Sequence, residues 1–270
     1  MGDTKTSDLK AGEVVFLCRE AERRYPRLCT SFAERLASVG AQIQWIEGDN
    51  PWVRDWFPVR IPGNGWCQFG YAPPYHANPE FRESMEVQVP PSVGEMANPV
   101  PVVLDGGAVV ADDRVLLVSS RFASAVQWAQ GLSGIDVESV APDPEDFTGH
   151  LDGLCRLRGS LFLYHDVALD LPGWPGLIRR MEARGYTAVE VPSMLTSDSK
   201  SAEGLFLNFI EVAGTVFVPT QGQLRGEKAS AQADIVQQLG AVMEAPVVAV
   251  DASEALPDGG ALHCLTWSDH

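Results

Sequence analysis

Cys264 stands in the run GGALHCLTW, beside His263 and behind Gly259 and Gly260. A cysteine thiolate is a strong nucleophile, and its chemistry needs a neighbouring acid/base group to manage the leaving group. The stretch GHLDG supplies a candidate. Strand alternation there would put His150 and Asp152 on one side and Leu151 on the other, so that an imidazole and a carboxylate share a face. By the same alternation His263 turns away from Cys264, which reads as a structural histidine. Two more carboxylates accompany apolar or aromatic residues. Asp55 lies in NPWVRDWFP, where Trp52 and Arg54 suggest an aromatic-walled pocket, and Asp105 lies in LDGG after the run PVVL.

These residues are far apart in the chain, so something must gather them. A supersecondary unit recurs: VVLDGGAVVADDRVLLVSS, HLDGLCRLRGSLFLYHD and LFLNFIEVAGTVFVPT each read as a hairpin, turning at Asp112-Asp113, Arg158-Gly159 and Ala213-Gly214. Helical spacing follows each in turn, in SRFASAVQWAQGL, in GWPGLIRRMEARG and from Arg225 to Gly240, and the last two are followed by the strand-like YTAVEV and PVVAV. Upstream, GEVVFLC, a helical stretch from Arg19 to Ser38 and AQIQWIE give strand, helix and strand, and WVRDWFPVRI opens a further hairpin. GGALHCLTW is a lone strand that can pair with the N-terminal one. Near the start of each hairpin stands a polar residue: Asp55, Asp105, the pair His150/Asp152, Asn208 and Cys264. They recur at intervals of 47 to 56 residues. Equivalent positions in a radially repeated fold converge on one axis. The stretches 61–101 and 193–204 interrupt the pattern and read as long loops, with a short helix expected at 80–87 and a lid role open to either.

One thiol, one imidazole and three carboxylates suit a planar, delocalised cation, because a guanidinium offers N–H donors in a fork that carboxylates match in pairs. A cysteine-protease reading explains the thiol and imidazole but leaves the carboxylates without a task. The composition agrees with a cationic ligand. The 270 residues carry a net charge of −16, which repels nucleic-acid phosphates and attracts small cations, although the same charge also serves solubility. Five cysteines with no C-x-x-C pair argue against a disulfide framework or a thiolate metal site and fit a reducing cytoplasm. No window approaches the ~18 apolar residues of a membrane span. A single domain over 1–270 is expected.

Taken together, NPWVRDWFP, LDGG, GHLDG, LNFIEVAGTVFVPT and GGALHCLT resemble the ordered motifs of agmatine deiminases, a group that includes the Porphyromonas-type peptidyl-arginine deiminase relatives, within the guanidino-modifying superfamily. The resemblance implies a five-bladed α/β propeller, the pentein fold, of ββαβ-like units. It further implies hydrolysis of a guanidinium to a ureido group and ammonia, with no cofactor and no metal. Carried over, it makes Cys264 the nucleophile, His150 the general acid/base, Asp55 and Asp152 the carboxylates that grip the guanidinium, and Asp105 a catalytic carboxylate assisting the histidine or substrate; the pocket and repeat readings above add Trp52, Arg54 and Asn208 as substrate-binding positions. Asp105 stands where the family usually has the glutamate of E-G-G; one methylene less lengthens a contact by about 1 Å unless the backbone compensates, a displacement that matters in catalysis. Related dimethylarginine hydrolases can carry LDGG. Ala108 replaces a usual asparagine, a departure that counts against agmatine; agmatine stays the leading candidate substrate, with arginine, methylated arginine and peptidyl arginine open. An amidinotransferase with the same thiol chemistry and a non-catalytic guanidino-binding protein are the competing readings. A homodimer is the assembly left open.

Overall fold

Short apolar runs bounded by Gly, Pro and Asp become strands, and the longer amphipathic runs become the helices between them. The computed structural model describes residues 14–73, 76, 87–195 and 201–268. The first element is β1 (Val14–Cys18), followed by α1 (Arg19–Arg24), α2 (Pro26–Ser38) and β2 (Gln42–Ile46). A one-turn α3 (Val53–Trp56) leads into β3 (Val59–Ile61), β4 (Gly65–Gly70), α4 (Pro91–Gly94) and β5 (Asn98–Val103). Next come β6 (Val109–Ala111), β7 (Val115–Ser119), α5 (Ala123–Gln130) and β8 (Asp136–Val140). They are followed by β9 (Cys155–Arg158), β10 (Leu161–His165), α6 (Trp174–Ala183) and β11 (Thr187–Val191). The chain continues through β12 (Ile210–Val212), β13 (Thr215–Thr220), α7 (Gly226–Met243), β14 (Val247–Asp251), α8 (Leu262–Leu265) and β15 (Thr266–Trp267).

The strands form five small sheets of one pattern, ordered β3-β4-β5, β6-β7-β8, β9-β10-β11, β12-β13-β14 and β15-β1-β2. In each, the central strand runs antiparallel to the first and parallel to the third. Parallel neighbours need a crossover, and helices supply it. The sheet β15-β1-β2 completes its pattern by borrowing its first strand from the far end of the chain, through Phe16 opposite Trp267 and Leu17 opposite Thr266.

Burial follows from this layering. β7 and β13 are buried along their whole length, so they read as continuous apolar runs. α2 turns Leu28, Cys29, Phe32 and Leu36 inward, and Phe32 meets Phe217 of β13 edge to face at 5.7 Å. α6 buries Trp174, Leu177, Ile178 and Met181 at helical spacing. Among the described residues, no helix is long and apolar enough to cross a membrane.

The hairpin turns lie where the sequence places them, and four local expectations change. The stretch from Arg19 to Ser38 is two helices, because Pro26 has no N–H to donate and disfavours helical geometry at Tyr25 before it. Gly240 does not end its helix; α7 runs on to Met243 and stops at Glu244 in a left-handed conformation. The stretch 61–101, expected as a loop, contains β4 and most of β5, whose pairing supplies an order that their glycine and proline content hid. The short helix expected at 80–87 falls almost wholly outside the described residues. Finally, GGALHC is no strand: Leu262–Leu265 form a helical turn, and only Thr266–Trp267 pair with β1.

Trp267 anchors that closing strand. It is fully buried, packs against Phe16, Phe57 and Trp66 with centroids 5.0–5.3 Å apart, and its Nε1 donates to the Pro58 carbonyl at 2.7 Å. Trp267→Ala is expected to cost about 3–5 kcal/mol, the range for deleting a fully packed aromatic. Urea unfolding followed by circular dichroism measures it, and a loss below about 1 kcal/mol would contradict the anchoring role.

Candidate active site

The five polar positions picked out by spacing share one structural address. Each sits on the turn leading into the first strand of its hairpin: Asp55 in α3 before β3, Asp105 before β6, His150 and Asp152 before β9, Asn208 before β12 and Cys264 in α8 before β15. All six side chains are buried. The strands fix the turns, and the turns carry the polar groups.

Asn208 organises the thiol. Its Nδ2 donates to Cys264 Sγ at 3.0 Å, and its Oδ1 accepts the backbone N–H groups of His263 at 3.1 Å and Cys264 at 3.3 Å. The thiol lies 3.5 Å from Asp152 Oδ2, an oxygen that also accepts from His263 Nδ1 at 2.6 Å. Here the expectation for His263 is corrected. Consecutive residues on a helical turn diverge by roughly 100°, against the 180° of a strand, so His263 and Cys264 both reach Asp152.

His150 sits between two acids. Its Nε2 is 3.2 Å from Asp105 Oδ2, and its Nδ1 is 3.7 Å from Asp55 Oδ1. Gly107 makes this packing possible: its N–H donates to Asp55 Oδ1 at 3.1 Å, and its carbonyl accepts from the N–H groups of Leu151 and Asp152. A Cβ at position 107 would fall 2.5 Å from His150 Nδ1 and 2.9 Å from Asp55 Oδ1, so a side chain there has no room. Asp146 had no sequence signal marking it. Its carboxylate accepts from the backbone N–H groups of Thr148, Gly149 and His150 and thereby sets the path of the His150 turn.

The charges follow from burial and neighbours. Burial opposes a charged His150, yet Asp55 and the Asp105 hydrogen bond outweigh it and raise the imidazole pKa to about 10. Burial, assisted by Asp105 and Asp152 and opposed by His150, lifts Asp55 to about 7. Asp152 goes the other way: burial works against its charge, but the His263 hydrogen bond prevails and brings it to about 2. His263 is kept neutral by burial and by Arg156 and Arg54, so it donates Nδ1–H to an ionised Asp152. The Cys264 thiol is pushed well above its ordinary range by burial and by the Asp152 and Asp55 carboxylates. The resting site therefore holds a thiol, an imidazolium and an excess of acidic groups.

Cys264, His150, Asp152 and Asn208 open onto one cavity of about 260 Å³, walled further by Asp143 and Glu145. Asp55 and Asp105 do not line it; they lie against the His150 ring. Trp52 is buried against Tyr25 and Gly260 rather than forming a pocket wall, and a Cβ at Gly260 would collide with its ring. Arg54 points to a second cavity together with Arg156. The second loop candidate meets the main cavity through Leu195, Ser201, Ala202 and Leu205, while residues 196–200 between them lie outside the described residues.

No protein-family model matches the chain, and no curated protein sequence matches it significantly. Solved structures do resemble it. The agmatine deiminase of C. jejuni is 15% identical with a TM-score of 0.65, the alignment covering 96% of this chain and 93% of that one. The agmatine deiminase of Enterococcus faecalis is 12% identical with a TM-score of 0.66 and the same coverage. A dimethylarginine dimethylaminohydrolase is 14% identical with a TM-score of 0.57, over 95% of this chain and 99% of its own. At such identities the likeness speaks for architecture alone: the chain has a mixed α/β fold with five small sheets, similar to the fold of these deiminases and this hydrolase.

Proposed function

We propose that this protein is a hydrolytic deiminase of a cationic guanidino compound, with Cys264 as the nucleophile. One observation carries the reading: the Cys264 thiol and the His150 imidazole open onto the same cavity, with the ionised Asp152 carboxylate 3.5 Å from the sulfur. A guanidinium bound there would lie against Asp152 in the paired geometry that such cations favour. We also propose that the five units stand as propeller blades around this site, since that arrangement accounts for five like turns converging.

The resting charges suggest how the reaction runs. A thiol held high is a poor nucleophile until a cation arrives; the guanidinium supplies the positive charge that favours the thiolate, and the thiol proton leaves through the cavity to solvent, where it is matched by the ammonia later released. The sulfur then attacks the guanidinium carbon. His150, already protonated, gives its proton to the departing nitrogen, so that ammonia leaves and an amidino thioether remains on Cys264. The now neutral His150 takes a proton from water, the resulting hydroxide attacks the thioether carbon, and collapse releases the ureido product and the thiol. His263 and Asn208 touch the groups around the sulfur and position them. The cavity wall favours a substrate with a second positive charge: Asp143, Glu145 and Asp146 line it, while no lysine or arginine does among the described residues. Among the described residues no cation lines the cavity to pair with a free α-carboxylate, which puts agmatine ahead of arginine.

A panel of agmatine, arginine, methylated arginines and an arginine peptide, scored for ureido product and ammonia, tests this directly. Agmatine is expected to turn over fastest. Cys264→Ser should abolish turnover while agmatine still binds, and His150→Asn should cost about 10²–10⁴-fold in kcat. Acid quench of the wild type during turnover should leave an amidino-type mass on Cys264. Binding of agmatine with no ureido product would reduce the protein to a guanidino binder, and full activity in Cys264→Ser would overturn the nucleophile.

His150 also makes a prediction in the absence of substrate. Its imidazole NMR signals should titrate near pH 10, and Asp55→Asn should move the midpoint down by removing a negative charge beside the ring. Because the folded-state pKa is raised above the usual 6.5, the stabilisation from this group is complete below pH 6.5 and disappears as pH rises through about 10. A midpoint near 6.5 in the wild type would contradict the resting imidazolium held between Asp55 and Asp105.

A further inference from the structure

We infer that this protein binds a small oxyanion in a second cavity, between Arg54 and Arg156. The inference does not depend on the reaction proposed above.

The cavity measures about 160 Å³ and is lined by Arg54, Arg156, His263 and Trp66, with Arg60 among its further lining residues. Arg54 follows from the α3 turn: Asp55 faces His150, and the adjacent Arg54, turned away by the helical step, lines the second cavity. Arg156 comes from β9, where its guanidinium lies 4.9 Å over the Phe209 ring. Neither arginine forms an ion pair among the described residues. Arg54 Nε has only a long contact, 3.5 Å, to the His263 carbonyl. Arg60 leans on Asp113 at 3.8 Å, with both side chains largely exposed.

Two guanidiniums brought near each other without a carboxylate in ion-pair contact are costly, because burial removes water from both charges. Burial lowers both guanidiniums, and the neighbouring Arg156 lowers Arg54 further, to about 10. Asp152 attracts them, but its Oδ2 is already engaged by His263 and Cys264. Beyond the long Arg54 contact, no acceptor among the described residues is hydrogen-bonded to either fork. A carboxylate or phosphate group is the ligand whose oxygens match such forks. The volume suits one such group and excludes a nucleotide-sized ligand. His263 lines this cavity while its hydrogen-bond partner Asp152 lines the main one, so the 2.6 Å bond between them spans the wall separating the two.

Isothermal titration of the intact protein with inorganic phosphate and, separately, with acetate, at ionic strength held constant by chloride, tests the inference. The phosphate arm represents a free or ester phosphate, the acetate arm a carboxylate. Saturable binding of at least one, at one site per chain, is expected. Arg54→Gln and Arg156→Gln should each weaken it about 10-fold or more, and Arg156→Lys, which keeps the charge but not the fork, should fall between. No saturable binding of either anion would overturn the inference, as would binding unchanged in both glutamine variants. Should these variants fail to fold, crystals of the wild type soaked in selenate give the second reading. An anomalous peak between the two guanidiniums supports the site, and its absence at a concentration that saturates other anion positions refutes it.

Discussion

Burying several charges within reach of one another is the constraint on which the rest of this structure depends. Asp55, Asp105, Asp152 and His150 are withdrawn from water together, and an unpartnered charge in such a place costs several kcal/mol. The fold meets the cost through geometry. His150 faces two carboxylates, Asp152 receives the His263 proton donor, and the Gly107 N–H bonds Asp55. Each partnership demands a close approach of backbone to side chain, which is why a residue without a side chain sits at the tightest point. The strain of assembling the site is carried by turns, and the sheets behind those turns hold them still.

The repetition of one unit five times turns this local problem into a common solution. Every polar group arrives from the same position in its unit, on the turn entering the first strand, so small changes in turn length suffice to place different chemistries side by side. A carboxylate, an amide, an imidazole and a thiol occupy equivalent addresses. The residue types differ while the scaffold that delivers them does not.

Much of this was legible in the sequence because hairpin turns and apolar periods are local signals. The intervals between Asp55, Asp105, Asp152, Asn208 and Cys264 reflect the repeat, and the repeat is written in turn residues such as Ala213-Gly214. What was illegible is instructive. A four-residue segment such as Leu262–Leu265 is too short for a period of 2 to be told from one of 3.6, so the helical turn that brings His263 to Asp152 could not be read. β4 was hidden because its glycines and tryptophan resemble loop composition until β3 and β5 pair with it. The roles of Asp146 and Arg156 depend on where distant turns pass in space, and no local pattern encodes that. Trp52 and Arg54 were placed in the pocket by type alone; packing sent one into the core and the other to a different cavity.

The sheet built from Val14–Cys18, Gln42–Ile46 and Thr266–Trp267 has a consequence for how the molecule comes into being. The turn bearing the thiol is held by a pairing between opposite ends of the sequence, and contacts of such long separation are costly to close before the intervening chain is ordered. Until residues 262–267 are in place, β1 has β2 on one edge and nothing on the other, and the turn that carries Cys264 has no strand to hold it. Opening that one short pairing would therefore displace Cys264 from Asn208 and Asp152 while leaving the turns that carry the carboxylates and the imidazole with their own sheets.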